Sequence, residues 1–124
     1  MSQSNLLTSF KYAFLGVWHV VRTQRNARIH LSVALVVIVL GLWLGLDRIE
    51  WAIIILTIGV VLAAEAFNTV AEAAVDLATA EVHPLAKIAK DVAAGAVLVT
   101  AMAAVIVGLL ILGPPLWGVL LTVF

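Results

Sequence analysis

The sequence contains no cysteine and little charge, with only 11% of its 124 residues being Asp, Glu, Lys or Arg. The lack of cysteine excludes disulfides, thiol catalysis and cysteine-ligated zinc. Seven basic residues balance seven acidic ones, so no net field favours nucleic acid as a partner. Soluble domains carry roughly 25% charged residues, whereas this chain is 65% hydrophobic, with a mean hydropathy of +1.21. The composition therefore predicts a small multi-pass membrane protein with one domain over residues 1–124.

Three apolar runs are long enough to cross a bilayer, and we expect spans at 29–46, 51–80 and 86–112, the second with a cytoplasmic extension. At 1.5 Å per residue, about 20 helical residues match the roughly 30 Å hydrocarbon core. These segments must be helical because lipid cannot satisfy the backbone groups of an open strand. The pair Pro114–Pro115 is expected to end the third helix and leave an apolar tail at 113–124.

The segment before the first span has a different pattern. Residues 5–24 place apolar and polar side chains on opposite sides of a helix, which predicts an amphipathic helix lying in the membrane interface. Residues 1–5 lack the basic start and short apolar run of a signal peptide, so none is expected. Basic residues concentrate before the first span and between the second and third, which predicts a cytoplasmic N-terminus.

Four polar residues share one side of the second span. They are Glu65, Asn68, Glu72 and Asp76, called the carboxylate face below, and their spacing confines them to an arc of about 80°. A carboxylate in hydrocarbon is costly, so such groups face a polar cavity and usually serve a function. A purely structural network of ion pairs is the alternative for any one of them.

The depth of this face narrows its function. If Trp51 marks the outer boundary, Glu65 lies about 21 Å inward and Asp76 about 37 Å. A proton or ion path would more naturally place its key carboxylate near the midplane. At the predicted depth, a lipid headgroup can approach from the side and a water-soluble reactant from the cytoplasm.

The residue types at this depth suit phosphoryl transfer. Carboxylates and an amide are ligands for Mg²⁺, and Lys90–Asp91 on the third helix brings an ammonium group that suits phosphate. A carboxylate can also take the proton of an attacking hydroxyl. No G-x-x-x-x-G-K-[ST] loop occurs in the chain, so a nucleotide site must be of another kind. The three histidines show no metal-ligand spacing.

These residues resemble the prokaryotic diacylglycerol kinase family, small membrane lipid kinases that include undecaprenol kinases. The resemblance lies in EAFNTVAEAAVD at 65–76, EVH at 81–83 and AKDVAAG at 89–95, and it extends from about residue 10 to about residue 112. The family pattern is an E-x-x-N-x-x-x-E-x-x-x-D face followed by a cytoplasmic A-K-D. The stretches at 10–16 and 24–30 look most like the undecaprenol kinase branch.

The resemblance implies an all-α homotrimer in a prokaryotic inner membrane, with an interfacial helix, three transmembrane helices per chain and active sites shared between neighbouring subunits. It implies transfer of the γ-phosphate of MgATP to the hydroxyl of undecaprenol or diacylglycerol, with Mg²⁺ as the cofactor. Either lipid places a hydroxyl near the interface, and no residue decides between them on physical grounds.

The resemblance also implies roles for individual residues. Glu65 would be the catalytic proton acceptor, Glu72 a metal ligand, and Asn68 and Asp76 would orient the surrounding groups. The residues expected to bind ATP are Tyr12, Glu72, Glu81, His83, Lys90 and Asp91. Gln24 stands where the best-known member has a second metal-binding glutamate; its amide oxygen can ligate Mg²⁺ but brings no charge.

Two other functions stay open on the residues alone. A small carboxylate-lined transporter or channel subunit would conduct protons or cations without nucleotide. A non-catalytic assembly partner would bury ion pairs without binding MgATP.

Overall fold

The computed structural model describes residues 5–124, which fold into four helices. They are α1 (Leu6–Thr23), α2 (Arg25–Leu44), α3 (Arg48–Ala78) and α4 (Pro84–Val123). Helices α2, α3 and α4 are long and apolar enough to cross a membrane, which confirms the expected all-helical, three-span architecture over these residues. The expectation that the chain has no signal peptide concerns its first five residues, of which 1–4 lie outside the described part.

A basic side chain closes the corner between α1 and α2. Gln24 has an extended backbone and separates the two helices. The guanidinium of Arg28 reaches back and donates to the carbonyl oxygens of Val21, at 3.3 Å, and Arg22, at 2.7 Å. These carbonyls belong to the last turn of α1, which lacks partners within its own helix. Arg28 therefore fixes the end of α1 to the first turn of α2.

The connection between α2 and α3 is a short turn. Gly45 has a left-handed backbone (φ 71°), and its N–H donates to the carbonyl of Gly41 at 3.0 Å, which closes the end of α2. The Asp47 side chain then accepts the N–H of Glu50 at 2.9 Å and caps α3. At the other end of α3, His83 caps α4 because its Nδ1 accepts the N–H of Leu85 at 3.1 Å, with Pro84 in the first turn.

The expectation that Pro114–Pro115 ends the third helix was wrong. Helix α4 runs through both prolines to Val123, so all but the last residue of the expected tail is helical. The prolines remove the N–H donors to the carbonyls of Leu110 and Ile111, but their fixed φ is compatible with a helix, and apolar membrane helices tolerate proline. With 40 residues, α4 is about 60 Å long and exceeds the hydrocarbon core.

The helices contact each other along narrow seams, and the contact between α3 and α4 is the most extensive. On α2 the buried positions are Ala27, Ala34 and Gly41; on α3 the same seven-residue spacing gives Ile54, Val61 and Asn68. Small residues on α2 allow close helix approach. At most 22% of the most apolar stretch of each span is buried, so most of the apolar surface requires lipid or another chain as its surroundings.

Candidate functional site

Two polar side chains are buried in the C-terminal half of α3. Glu65 is 2% exposed and Asn68 is 8% exposed, and these are the buried polar residues of the described chain. Both lie on the side of α3 that also carries Ile54 and Val61, so the helix turns them towards its neighbours. Burial of a carboxylate among apolar side chains costs free energy unless the group is paired or hydrogen-bonded, and carboxylates that are retained in this way usually serve a function.

Asn68 and Glu72 follow Glu65 along the carboxylate face and contact each other. Asn68 Nδ2 donates to Glu72 Oε1 at 3.4 Å, and Asn68 Oδ1 is buried without a donor among residues 5–124. No group of three or more His, Cys, Asp or Glu side chains that could hold a metal occurs in that range. A carboxylate beside an unpartnered amide oxygen nevertheless fits Mg²⁺, because this ion prefers oxygen ligands and keeps several waters.

An exposed ion pair joins α3 to α4 at the end of the face. Lys90 Nζ lies 2.6 Å from Asp76 Oδ1, and the two side chains are 41% and 67% exposed. Lys90 is therefore held one helical turn beyond Glu72, at the more exposed end of α3. Asp91 pairs with Lys87 along α4. The structure thus brings five of the predicted site residues onto one path along α3 and the start of α4: Glu65, Asn68, Glu72, Asp76 and Lys90.

The remaining predicted residues lie outside this path. Tyr12 is exposed on α1, and Gln24 lies in the α1–α2 corner, where its amide donates to Thr23 Oγ1 at 3.4 Å. Glu81 and His83 lie in the connection between α3 and α4. Within the described chain, no hydrogen bond or ion pair links any of these four to the carboxylate face.

The sequence reasoning missed one contact of the site. His30 Nε2 on α2 lies 3.2 Å from Glu65 Oε1, and the His30 side chain is 24% exposed. The available signal was that His30 is a polar residue near the start of an otherwise apolar run. Its pairing with a residue 35 positions away depends on the packing of α2 against α3, which no local pattern predicts.

An apolar groove leads to this contact. A space of about 510 Å³ lies between α2, α3 and α4, with His30 at one end and Leu116 at the other. A smaller space of about 330 Å³, bordered by Asn26 and Ala94, also touches His30. His30 therefore borders hydrocarbon-lined space as well as Glu65.

These features define a multi-pass membrane protein with a buried carboxylate in the C-terminal half of its second span and a charged pair beyond it. Residues 11–112 match the prokaryotic diacylglycerol kinase family, and the chain belongs to that family. It is therefore a kinase, an enzyme that transfers a phosphoryl group.

Curated relatives agree with this assignment. The chain is 48% identical over 108 residues to an undecaprenol kinase of Bacillus subtilis, covering 87% of this chain and 88% of the relative. It is 50% identical over 113 residues to a diacylglycerol kinase of Synechocystis, covering 90% of this chain and 65% of that protein. A diacylglycerol kinase of Escherichia coli is 36% identical over 72 residues, which cover 58% of this chain and 59% of the relative.

Proposed function

We propose that this protein transfers the γ-phosphate of MgATP to the hydroxyl of a membrane lipid alcohol, undecaprenol or diacylglycerol. The observation that carries the proposal is the gradient of exposure along one side of α3, from Glu65 at 2% to Asp76 at 67%. A lipid hydroxyl reaches the enclosed end from the membrane, and a nucleotide reaches the exposed end from water. Phosphoryl transfer requires both reactants to meet between positioned charges.

Each polar group along α3 has a role in this proposal. Glu65 accepts the proton of the lipid hydroxyl, because its carboxylate is the one that lies among apolar side chains. Glu72 and Asn68 would hold Mg²⁺, with Gln24 as a further oxygen ligand. The ion would supply positive charge to the phosphate oxygens. Asp76 orients Lys90, to which it is bonded at 2.6 Å.

The nucleotide lies at the cytoplasmic end of the bundle. Its phosphates contact the ammonium group of Lys90 and the Glu72 region. The side chains that complete the ATP site come from three parts of the chain: Tyr12 on α1, Glu81 and His83 before α4, and Asp91 within α4.

The functional unit in this proposal is a homotrimer in the prokaryotic plasma membrane, with a cytoplasmic N-terminus and active sites shared between chains. The low burial of each span supports this arrangement, because one chain leaves its apolar helices largely uncovered. A neighbouring chain would also enclose the exposed half of the carboxylate face.

The test uses purified protein in lipid nanodiscs with radiolabelled MgATP and each lipid alcohol in turn. Transfer of label to at least one lipid is expected. Glu72→Gln is expected to reduce transfer by about a hundredfold or more, because metal-held phosphate contacts act mainly in the transition state. Glu65→Gln is expected to reduce the rate of transfer by about 10²–10⁴-fold, which is the effect of losing a general base.

Glu50→Gln is the matched control, since it makes the same substitution at the opposite end of α3, beside the Asp47 cap. It should retain full transfer, and native mass measurements should show the same assembly for all variants. Full turnover by Glu72→Gln would contradict the metal assignment. Cation or proton flux in vesicles without nucleotide, together with no labelled lipid, would instead support the transporter alternative.

A further inference from the structure

The carboxylate of Glu65 has an incomplete environment. Its Oε1 is buried and has no hydrogen-bond donor in the part of the chain that is described. His30 Nε2 is 3.2 Å from this oxygen, but its N–H is not aligned for a hydrogen bond. Within residues 5–124, Glu65 forms no ion pair with any residue other than His30. Among residues 5–124, His30 is thus the one basic side chain placed to satisfy this oxygen.

A small rotation of the imidazole completes the contact. An Nε2–H group is present in one neutral tautomer of histidine and in the imidazolium. Catalytic hydrogen bonds are often long or misaligned before substrate binds and tighten in the reacting complex. A donor on Oε1 would reduce the cost of burying the carboxylate and fix the orientation of the carboxyl group.

We propose that His30 is a positioning residue for Glu65: its Nε2–H holds Oε1, so that Oε2 is presented to the hydroxyl of the acceptor. This inference rests on the proposed kinase function. The acceptor oxygen bonds to the γ-phosphorus of ATP as the bond from that phosphorus to the bridging oxygen breaks. ADP leaves with the electron pair, and the hydroxyl proton passes to Oε2.

The groove supports this assignment to His30. The imidazole borders the hydrocarbon-lined space of about 510 Å³ on one side and faces Glu65 on the other. A lipid whose chain lies in this space therefore brings its polar end to the place where His30 meets the carboxylate.

Three substitutions separate positioning from packing. His30→Gln keeps an N–H about as far from the backbone as Nε2, whereas the amide of His30→Asn reaches only about as far as Nδ1. His30→Leu keeps bulk and removes the donor. We expect Leu and Asn to lower kcat by about tenfold to hundredfold, a part of the roughly 10²–10⁴-fold that a general base contributes.

The readout is the separation of kcat from KM in the nanodisc assay. KM for ATP should stay within about twofold in all three variants, since the nucleotide contacts are untouched. The kcat of His30→Gln should be at least about fivefold higher than that of His30→Asn, because only the glutamine side chain reaches Oε1 of Glu65. His19→Leu, the same change at an exposed histidine of α1, is the matched control and should behave as the wild type.

The outcomes distinguish this proposal from the function on which it rests. If the wild type transfers phosphate and Glu65→Gln does not, but Gln and Asn at position 30 are equally active, the role of His30 is wrong and the kinase function stands. An effect confined to KM for ATP would also overturn it. If the wild type transfers no phosphate to either lipid, both proposals fail. Should His30→Leu not assemble, the Gln and Asn pair still decides.

Discussion

Lys90 has two candidate partners, the Asp76 carboxylate that it contacts and the phosphates of a nucleotide. The pair joins side chains that are 41% and 67% exposed, and ion pairs this exposed change an equilibrium constant by about fivefold at most. Asp76→Asn should therefore raise KM for ATP by less than about fivefold. A charged hydrogen bond to phosphate is stronger, so Lys90→Ala should raise KM by about tenfold to hundredfold.

The assay is initial-rate phosphoryl transfer in nanodiscs at fixed lipid and varied MgATP. Lys90→Arg keeps the charge and should recover part of the binding, although a guanidinium is not equivalent to an ammonium group. The double variant Asp76→Asn/Lys90→Ala should have the same KM for ATP as Lys90→Ala, because Asp76 acts only by orienting the lysine. If Asp76→Asn raises KM for ATP as much as Lys90→Ala does, the main function of Lys90 is to join α3 to α4.

Two predictions concern the turn between α2 and α3. A Cβ on Gly41 would lie 2.8 Å from Trp51 Cη2, so Gly41→Ala should destabilise the protein by about 1–2 kcal/mol. Gly59→Ala is the control, because a Cβ there would meet open space, and it should not destabilise the protein. A lower melting temperature for the Gly59 variant would contradict this interpretation. The pKa of the Asp47 carboxyl is held below its ordinary 3.8, mainly because the Glu50 N–H donates to it. Its ionised form therefore stabilises the fold above that ordinary value, and the contribution is lost as pH falls through the lowered pKa. Melting curves of Asp47→Asn should lack this acid-dependent loss; identical acid profiles would refute it.

The fold was accessible from sequence because hydrophobic length and helix boundaries are local properties. Uninterrupted apolar runs predict spans whatever their neighbours do. Gly45 follows the last residue of α2 and Pro84 is the first residue of α4, which are positions that these residue types favour. The prediction failed at Pro114–Pro115, where a rule learned from water-exposed helices was applied to an apolar one. The helix continues there because the fixed φ of proline is compatible with helical backbone, and the residues that follow are apolar.

The candidate site was only partly accessible for a related reason. The carboxylate face needs no more than helical periodicity within α3, so its four members could be grouped from their spacing. Contacts between helices depend on register instead. The pairing of Lys90 with Asp76, and that of His30 with Glu65, is set by how far α4 and α2 are displaced along α3.

The register of these contacts restricts where the two reactants can meet. Glu65 and Glu72 are seven residues apart, or about 10 Å along α3, and Asp76 is about 6 Å further. A γ-phosphate held at Asp76–Lys90 alone would be too far from a hydroxyl at Glu65, because a hydrogen-bonded proton acceptor must be within roughly 3 Å of the attacking oxygen. If the proposed function is correct, the nucleotide would therefore extend along α3 past Lys90 towards Glu72 and Asn68. In the proposed reaction the lipid hydroxyl would stay beside Glu65, at the end of the apolar groove, and the transfer would take place between the buried and the exposed halves of the carboxylate face.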